Sequence, residues 1–540
     1  MSDHGADLLI RAAAVHTLAP GLPPQRALAV RGDRVVAVSP DPDGLDGLAT
    51  DRTEVRDLPE STVLPAFDDT HTHLIFAAHS VHDVPVHQAR SLPEFLDMIR
   101  RRAAVTPEGE WIRTTTNWQE LDLPERRLPT AAELDQATDR HPVLVKRGGH
   151  NDVVNSYALR LAGITEQTPE PPGGVIGRDA DGRLNGRLID NAQPLVERLL
   201  PPADQAKRIE GLRVASAQYA ATGIGTVRDC AVFPSDYEVL LAAREARVLG
   251  TRVRALIATF GLSSAAQVDD LLDRMEDWRY SGDPWLQVWG LKFGLDGGLE
   301  AGATEEPYAS DPSFRGMLMW DPDALAEAVE AVVRRGWRVG THAYGDRAVR
   351  VLLDVYERVL RNNPGLPEGM LVMEHGGLAG PEQRARAVGM GVPVTVQQPL
   401  AHDTAHVERG FWGPERVAAL FPVRGWLDDG ALVAAGSDFP VGRFGAMRSV
   451  WGMTTRQTVI GIQGPEHAIT YDEAVALHTT TAARLLGEER LRGSLTPGRL
   501  ADLTVWDRDP ARAPSDVLCD LNPTHTILGG TLVHGPESAG

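Results

Sequence analysis

The sequence lacks most of what would staple a small secreted domain or hold a polyanion. Among 540 residues there are two cysteines, Cys230 and Cys519. Two thiols cannot build a disulfide framework, which fits a reducing compartment and leads to the expectation of a cytoplasmic protein. Lysine is nearly absent: Lys146, Lys207 and Lys292 stand alone, and arginine carries the rest of the basic charge. The formal net charge of −20 argues against a general nucleic-acid or anionic-membrane surface. No apolar run is long enough to span a bilayer. The stretch from Met1 to Ala14 has no basic segment followed by a long apolar core, so no signal peptide is expected. Internal repeats and low-complexity tracts are missing as well.

What is present is organised around Val63-Leu64-Pro65-Ala66-Phe67-Asp68-Asp69-Thr70-His71-Thr72-His73. An apolar run reads as a buried strand. Residues two apart on a strand point the same way, so His71 and His73 would aim both imidazoles at one point past the strand end. Neutral imidazole is a common metal ligand. A lone His-x-His is weak evidence, and its weight depends on whether other ligands exist.

Taken in order, residues 7–62 hold short apolar runs with a hairpin turn at Gly32-Asp33, and residues 493–535 hold similar short strands punctuated by glycine and proline. Residues 1–62 and 490–540 are therefore expected to form one composite β-sandwich. Between them, strand candidates at 63–67, 223–229, 252–259, 288–295, 338–343, 371–375, 392–398 and 431–437 alternate with helical patterns such as Asp323 to Arg335 and Asp346 to Arg361. That alternation predicts an α/β fold, a (β/α)8 TIM barrel over 63–489. Residues 75–210 are too long for one βα unit. They carry their own strands (Trp111–Asn117 and Pro142–Arg147), so they read as an inserted α/β subdomain after strand one. Insertions at that face of a barrel usually shape the active site.

The C-terminal strand ends are where a barrel keeps its chemistry. His71 and His73 fall at strand one, Lys292 on strand four, His342 at strand five, His375 at strand six and Asp438 at strand eight. Each has an ordinary reading: His342 or His375 as a core histidine, Asp438 as a helix N-cap. Lys292 is harder to dismiss, because its strand is strongly apolar and burying an ammonium is costly. Together, in barrel order, they point to a metal site.

The same stretches carry a family resemblance. Phe67 to His73, Leu291-Lys292-Phe293-Gly294-Leu295-Asp296-Gly297, Thr341 to Val349, Met373-Glu374-His375, Gln397-Gln398-Pro399, Gly436 to Pro440, Gly493 to Leu503 and Arg147-Gly148-Gly149-His150 resemble the amidohydrolase superfamily, specifically its amidohydrolase-3 (YtcJ-like) branch. The resemblance covers nearly the whole chain. It implies that His71 and His73 hold one divalent ion and His342 and His375 a second; zinc is the default for such a ligand set, which does not exclude iron, manganese or nickel. It implies that Lys292 is carboxylated to N6-carboxylysine and bridges the ions, and that Asp438 binds the first ion. A metal-bridging hydroxide would attack, with Asp438 taking and returning the proton. His150 is expected to contact the oxyanion or carbonyl, and Trp118, Tyr344 and Asp296 to be further substrate contacts.

Other residues draw weaker expectations. Cys230 would line the pocket, His79, His82 and His87 would form a polar lid, and Trp118, Phe411, Trp412 and Trp426 would be pocket aromatics or, on the plainer reading, core or interface packing. Gly223-Ile224-Gly225 lies on the wrong side of its strand for a dinucleotide fingerprint. The expected function is a metal-dependent hydrolase of a non-peptide C–N bond in a small-molecule amide, an N-formyl or N-acyl amine, resembling N-substituted formamide deformylases. The alternatives are a cyclic-amide hydrolase or hydrolytic deaminase on the same fold, and a non-catalytic regulatory protein that retains it. No nucleic-acid or membrane partner is expected; by the resemblance barrels of this kind are often homodimers, and the oligomeric state is left open.

Overall fold

Strands covered on both faces tend to read as apolar runs, and eight strands, most of them of this kind, form a parallel sheet here. They are β1 (Phe67–Thr72), β2 (Ile224–Val232), β3 (Arg252–Ala258), β4 (Leu286–Gly294), β5 (Arg338–Ala343), β6 (Leu371–His375), β7 (Val394–Val396) and β8 (Val433–Ala435). The computed structural model describes residues 5–148, 151–171, 174–190, 192–201, 204–278 and 283–536. Each strand pairs in parallel with the next, from β1 to β8. The seam between β8 and β1 is drawn together by Thr70 Oγ1 donating to Ala435 O (2.9 Å) and Asp438 N donating to His71 O (2.8 Å). The result is the expected (β/α)8 barrel.

The connecting helices form where the sequence supplies caps and an apolar stripe. Asp321 caps Pro322–Arg334 by accepting from Asp323 N and Ala324 N, and proline sits in the first turn, where its missing N–H costs nothing. Asp346–Asn362 buries Ala348, Val349, Leu352, Leu353, Tyr356 and Val359 at helical spacing.

Some strand expectations need correction. Val63-Leu64 does not start the barrel. It ends a strand, Glu54–Pro65, that pairs with Leu8–Val15 and Leu503–Trp506 in another sheet. Pro65 has no N–H with which to extend a ladder, and the chain passes into the barrel at Phe67. The candidate at 392–398 shrinks to Val394–Val396, because Gln398-Pro399 opens the helix Gln398–Trp412.

The other sheet draws on both ends of the chain. Its seven strands run in the order Thr531–His534, His525–Leu528, Leu503–Trp506, Glu54–Pro65, Leu8–Val15, Gln25–Arg31, Arg34–Ser39. Leu8, Ile10, Leu28, Val30, Leu503 and Val505 pack on one face, and Leu9, Ala27 and Ala29 on the other. A bridge between Arg34 and Leu500 joins the far edge to the C-terminal segment.

The chain divides into two compact units: Met1–Ile75 with Arg213–Asp438 and Gly442–Gly540, and Phe76–Leu212 with Phe439–Val441. The second has a five-stranded sheet in the order Ile112–Arg113, Val143–Arg147, Asn151–Val154, Leu184–Asp190, Gly174–Arg178. The strand expected over 111–117 is thus two residues long. Trp118, expected to touch substrate, belongs to this unit's core. It packs on Phe95 at 4.9 Å, and its indole N–H donates to Lys146 O at 2.7 Å. Among the described residues no helix is long and apolar enough to cross a membrane.

Candidate metal centre

β1 delivers the first two imidazoles. Alternation puts His71, inside the strand, and His73, just past it, on one side, and their ring centroids are 5.7 Å apart. Both reach one carboxylate: Asp438 Oδ1 lies 3.0 Å from His73 Nε2 and 3.5 Å from His71 Nε2. Lys292 Nζ, buried on β4, is 3.4 Å from the same His71 Nε2. The His71 ring lies 4.5 Å from that of His375, and His375 lies 4.4 Å from His342. The six expected ligands therefore form one contiguous cluster contributed by β1, β4, β5, β6 and the turn after β8.

Two of them sit on strained backbone. His375 (φ 71°) and Asp438 (φ 58°) adopt the left-handed region that side chains avoid, as do only five other non-glycine residues among those described. Such outliers concentrate where function over-determines the backbone. The turn carrying Asp438 is clamped to β1 by Asp69, which accepts from Ser437 N (2.9 Å) and Ser437 Oγ (2.6 Å). Burial pushes the Asp69 carboxyl up to about 7.

Beneath the cluster lies a buried chain of charge. Glu374 Oε2 lies 2.7 Å from His71 Nδ1 and accepts from Thr395 Oγ1 at 2.6 Å, while its other oxygen pairs with Arg228. Arg228 also donates to Thr70 O (2.7 Å) and lies 4.6 Å from the Trp289 ring centroid. Gly340 on β5 makes room for this carboxylate, since a Cβ there would collide with Glu374 Oε1. Burial alone would raise the Glu374 carboxyl, but Arg228 and Lys292 overcome it and hold it below its ordinary range. Burial, then the Lys292 charge, holds His71 well below the usual imidazole range; burial, then His342, does the same for His375.

These facts assign the His71 tautomer. An ionised carboxylate at Nδ1 takes the N–H, which leaves the Nε2 lone pair facing Asp438, His73 and Lys292. The His71, His73 and Asp438 donor atoms all lie within 4.8 Å of one another. His375 Nδ1 is buried with no hydrogen-bond partner. Imidazoles beside a carboxylate oxygen, with one ring nitrogen left orphaned, fit a divalent cation.

The other expected site residues fare differently. His150 lies outside the described residues. Asp296 is buried and accepts the N–H groups of Ala303 (2.8 Å), Tyr344 (3.0 Å) and Gly345 (3.0 Å), with Oδ1 3.4 Å from His342 Nε2. Its carboxylate ties together the loops behind His342. Tyr344 is buried too: its hydroxyl donates to Glu408, and its ring stands edge-on to His375 at 5.5 Å. Cys230 is enclosed among Leu256, Trp289 and Val372, and burial pushes its thiol up to about 12, so it lines no open pocket. Trp412 and Trp426 are core residues. His82 lies against Lys207 O (3.3 Å) and His87 against Thr115 Oγ1 (3.1 Å).

Sequence reasoning passed over Arg228, Glu374, Thr395 and Asp69. The signal for Arg228 and Glu374 was the argument already applied to Lys292: a charge inside an apolar strand must have a partner.

The sequence model of the amidohydrolase family matches residues 54–534. The chain belongs to the amidohydrolase family. As a member it is a hydrolase acting on carbon–nitrogen bonds. Among its relatives it is 29% identical to an N-substituted formamide deformylase of Arthrobacter pascens over 97% of this chain and 98% of that one. It is 27% identical to the putative amidohydrolase YtcJ of Bacillus subtilis, covering 89% and 90%. An uncharacterized metal-dependent hydrolase from Pyrococcus horikoshii shares its fold, with a TM-score of 0.76 at 22% identity over 94% of this chain and 99% of that one.

Proposed function

We propose that the protein hydrolyses the C–N bond of a small non-peptide amide, an N-formyl or N-acyl amine, at a centre of two divalent metal ions. The observation that carries the reading is the His71 ring held by Glu374 at Nδ1, with Nε2 turned toward Asp438 and His73. A buried carboxylate–imidazole pair opposite a carboxylate and a second imidazole is the arrangement by which proteins orient metal ligands. The deformylase relative supports the choice of amide, since it matches over nearly the full length of both chains.

His71, His73 and Asp438 would hold one cation, and His342 and His375 the other. Lys292 would serve both as a carbamate, which also resolves the burial of an ammonium 3.4 Å from an imidazole nitrogen. When bound, such cations lower the pKa of water and polarise a carbonyl. The chain's own contribution is orientation and proton movement. Glu374 fixes the His71 ring, the strained turn fixes Asp438, and Asp438 accepts the proton of the attacking water and returns it to the departing amine nitrogen.

The test is metal analysis of the purified protein together with a panel of N-formyl amines, N-acyl amines and cyclic amides. Two equivalents of metal and turnover of the open-chain amides are expected. Lys292→Ala should lose activity and retain about half of the metal, because one bridging ligand serves both ions. Full metal content with full turnover in that variant would overturn the carbamate assignment.

A further inference from the structure

Large apolar side chains are exposed together at the C-terminal ends of three adjacent barrel strands. Phe233 follows β2 directly and is 37% exposed. Phe260 lies two residues past β3 and is 43% exposed. Met319 is 50% exposed, and its amide donates to the carbonyl of Leu295, the residue after β4, at 2.8 Å. Exposed apolar residues scattered singly are ordinary, but a group of them at a barrel mouth marks a binding surface.

The group is spatially joined and fixed to the ligand-bearing strands. The Phe233 and Phe260 rings lie 6.4 Å apart. Phe260 and Met319 flank Gly294: a Cβ there would stand 3.2 Å from Phe260 Cε1 and 3.7 Å from Met319 Sδ. Gly294 has no positive φ, so its backbone does not demand glycine, and what the missing side chain provides is space. Lys292 and Gly294 are two apart on β4 and share its face, so this space opens on the same side of the strand as the Lys292 side chain. The Lys292 carbonyl accepts from Thr259 N (3.0 Å) and Thr259 Oγ1 (2.8 Å), and Thr259 immediately precedes Phe260. Gly294 is paired with His342, whose carbonyl accepts from Leu295 N at 3.1 Å.

The geometry points to an apolar subsite, walled by Phe233, Phe260 and Met319 over Gly294, that receives the hydrocarbon substituent on the amide nitrogen of the substrate. The assignment rests on the proposed amide hydrolysis and names which part of such a substrate is selected. Two aromatic faces and a soft thioether suit an alkyl or aryl chain. An ionised substituent would lose hydration there with no partner in return. Three side chains cover one small-molecule substituent and fall far short of a protein interface of about 800 Å² per partner.

The test is a series of N-alkylformamides from methyl to hexyl, assayed with the metal-loaded enzyme, with calorimetric binding of the methyl and hexyl compounds in parallel. In the wild type kcat/KM should rise about fourfold per methylene over the span of the wall. Phe260→Ala and Met319→Ala should each lower the hexyl-to-methyl ratio, by about tenfold for Phe260→Ala, mainly through KM and at unchanged metal content. Gly294→Val should fill the space and reject the hexyl compound. Turnover that ignores chain length overturns the subsite and leaves amide hydrolysis standing. Hexyl binding that is stronger than methyl binding and weakened in Phe260→Ala, with no formamide turned over, supports the subsite and removes formamides as substrates. No binding of N-hexylformamide overturns the subsite outright.

Discussion

His71 and Glu374 are 303 positions apart in the chain, yet Nδ1 of one lies 2.7 Å from Oε2 of the other, both fully enclosed by the barrel. Through this contact Arg228, on the opposite side of Glu374, helps to orient an imidazole it never touches. Orientation of ligands by buried partners is how a protein tunes a metal site without adding ligands.

Glu374→Gln tests that chain of charge. The amide cannot balance the Arg228 guanidinium, so a buried cation is left unpaired and the fold should lose about 3 kcal/mol in urea denaturation. The His71 tautomer is no longer enforced, and metal affinity in chelator competition should fall about 10- to 100-fold. Unchanged affinity would mean that His71 is not a ligand.

Glu408 gives the stability a pH dependence. It is enclosed on the helix Gln398–Trp412 and receives the Tyr344 hydroxyl. Burial pushes its carboxyl up to about 8 from an ordinary 4.5, with the hydroxyl contacts pulling weakly the other way. Between those values the unfolded chain releases a proton that the native chain keeps. Stability from this group is therefore full below about pH 4.5 and declines as pH rises toward 8, by about 1.4 kcal/mol per pH unit. Glu408→Gln removes the titration. Its stability relative to the wild type should grow through that window and level off above it, as read by denaturant melts at several pH values. Parallel curves would show that Glu408 ionises like an exposed carboxylate.

Asp502 ties the terminal sheet to the barrel. Both of its oxygens accept from Arg252 on β3 at 2.8 Å, and Oδ1 also accepts from Gly529 N at 2.8 Å. Asp502→Ala leaves the enclosed Arg252 without its carboxylate and should cost about 3–5 kcal/mol in urea denaturation. A loss below about 1 kcal/mol would mean that the Trp285 ring, 4.9 Å from the guanidinium, and the Pro284 carbonyl suffice to hold the cation.

Much of the barrel was legible because a buried parallel strand advertises itself as an apolar run, and because the helices between carry capping residues and an apolar stripe. The ligand set was legible for a related reason: histidine, lysine and aspartate at strand ends are conspicuous against an apolar background. Boundaries were less legible. An apolar run such as Val63-Leu64 does not say which of two sheets it joins, and Gln398 looks like a strand residue until Pro399 is placed in a helical first turn. Trp118 illustrates the limit for aromatics, since a buried indole with a hydrogen-bonded N–H and a pocket indole have the same sequence signature.

By itself the sequence determined the fold class, the order of the strands and the residue types that can hold a metal, because these depend on local periodicity and on the cost of burying charge. Tertiary structure alone decided which buried charges meet. The pairing of Arg228 with Glu374 and of Glu374 with His71 joins strands β2, β6 and β1, and the wall of Phe233, Phe260 and Met319 joins segments that follow β2, β3 and β4. Such contacts have no sequence spacing to betray them, since barrel closure sets the distance between strands that the chain keeps far apart.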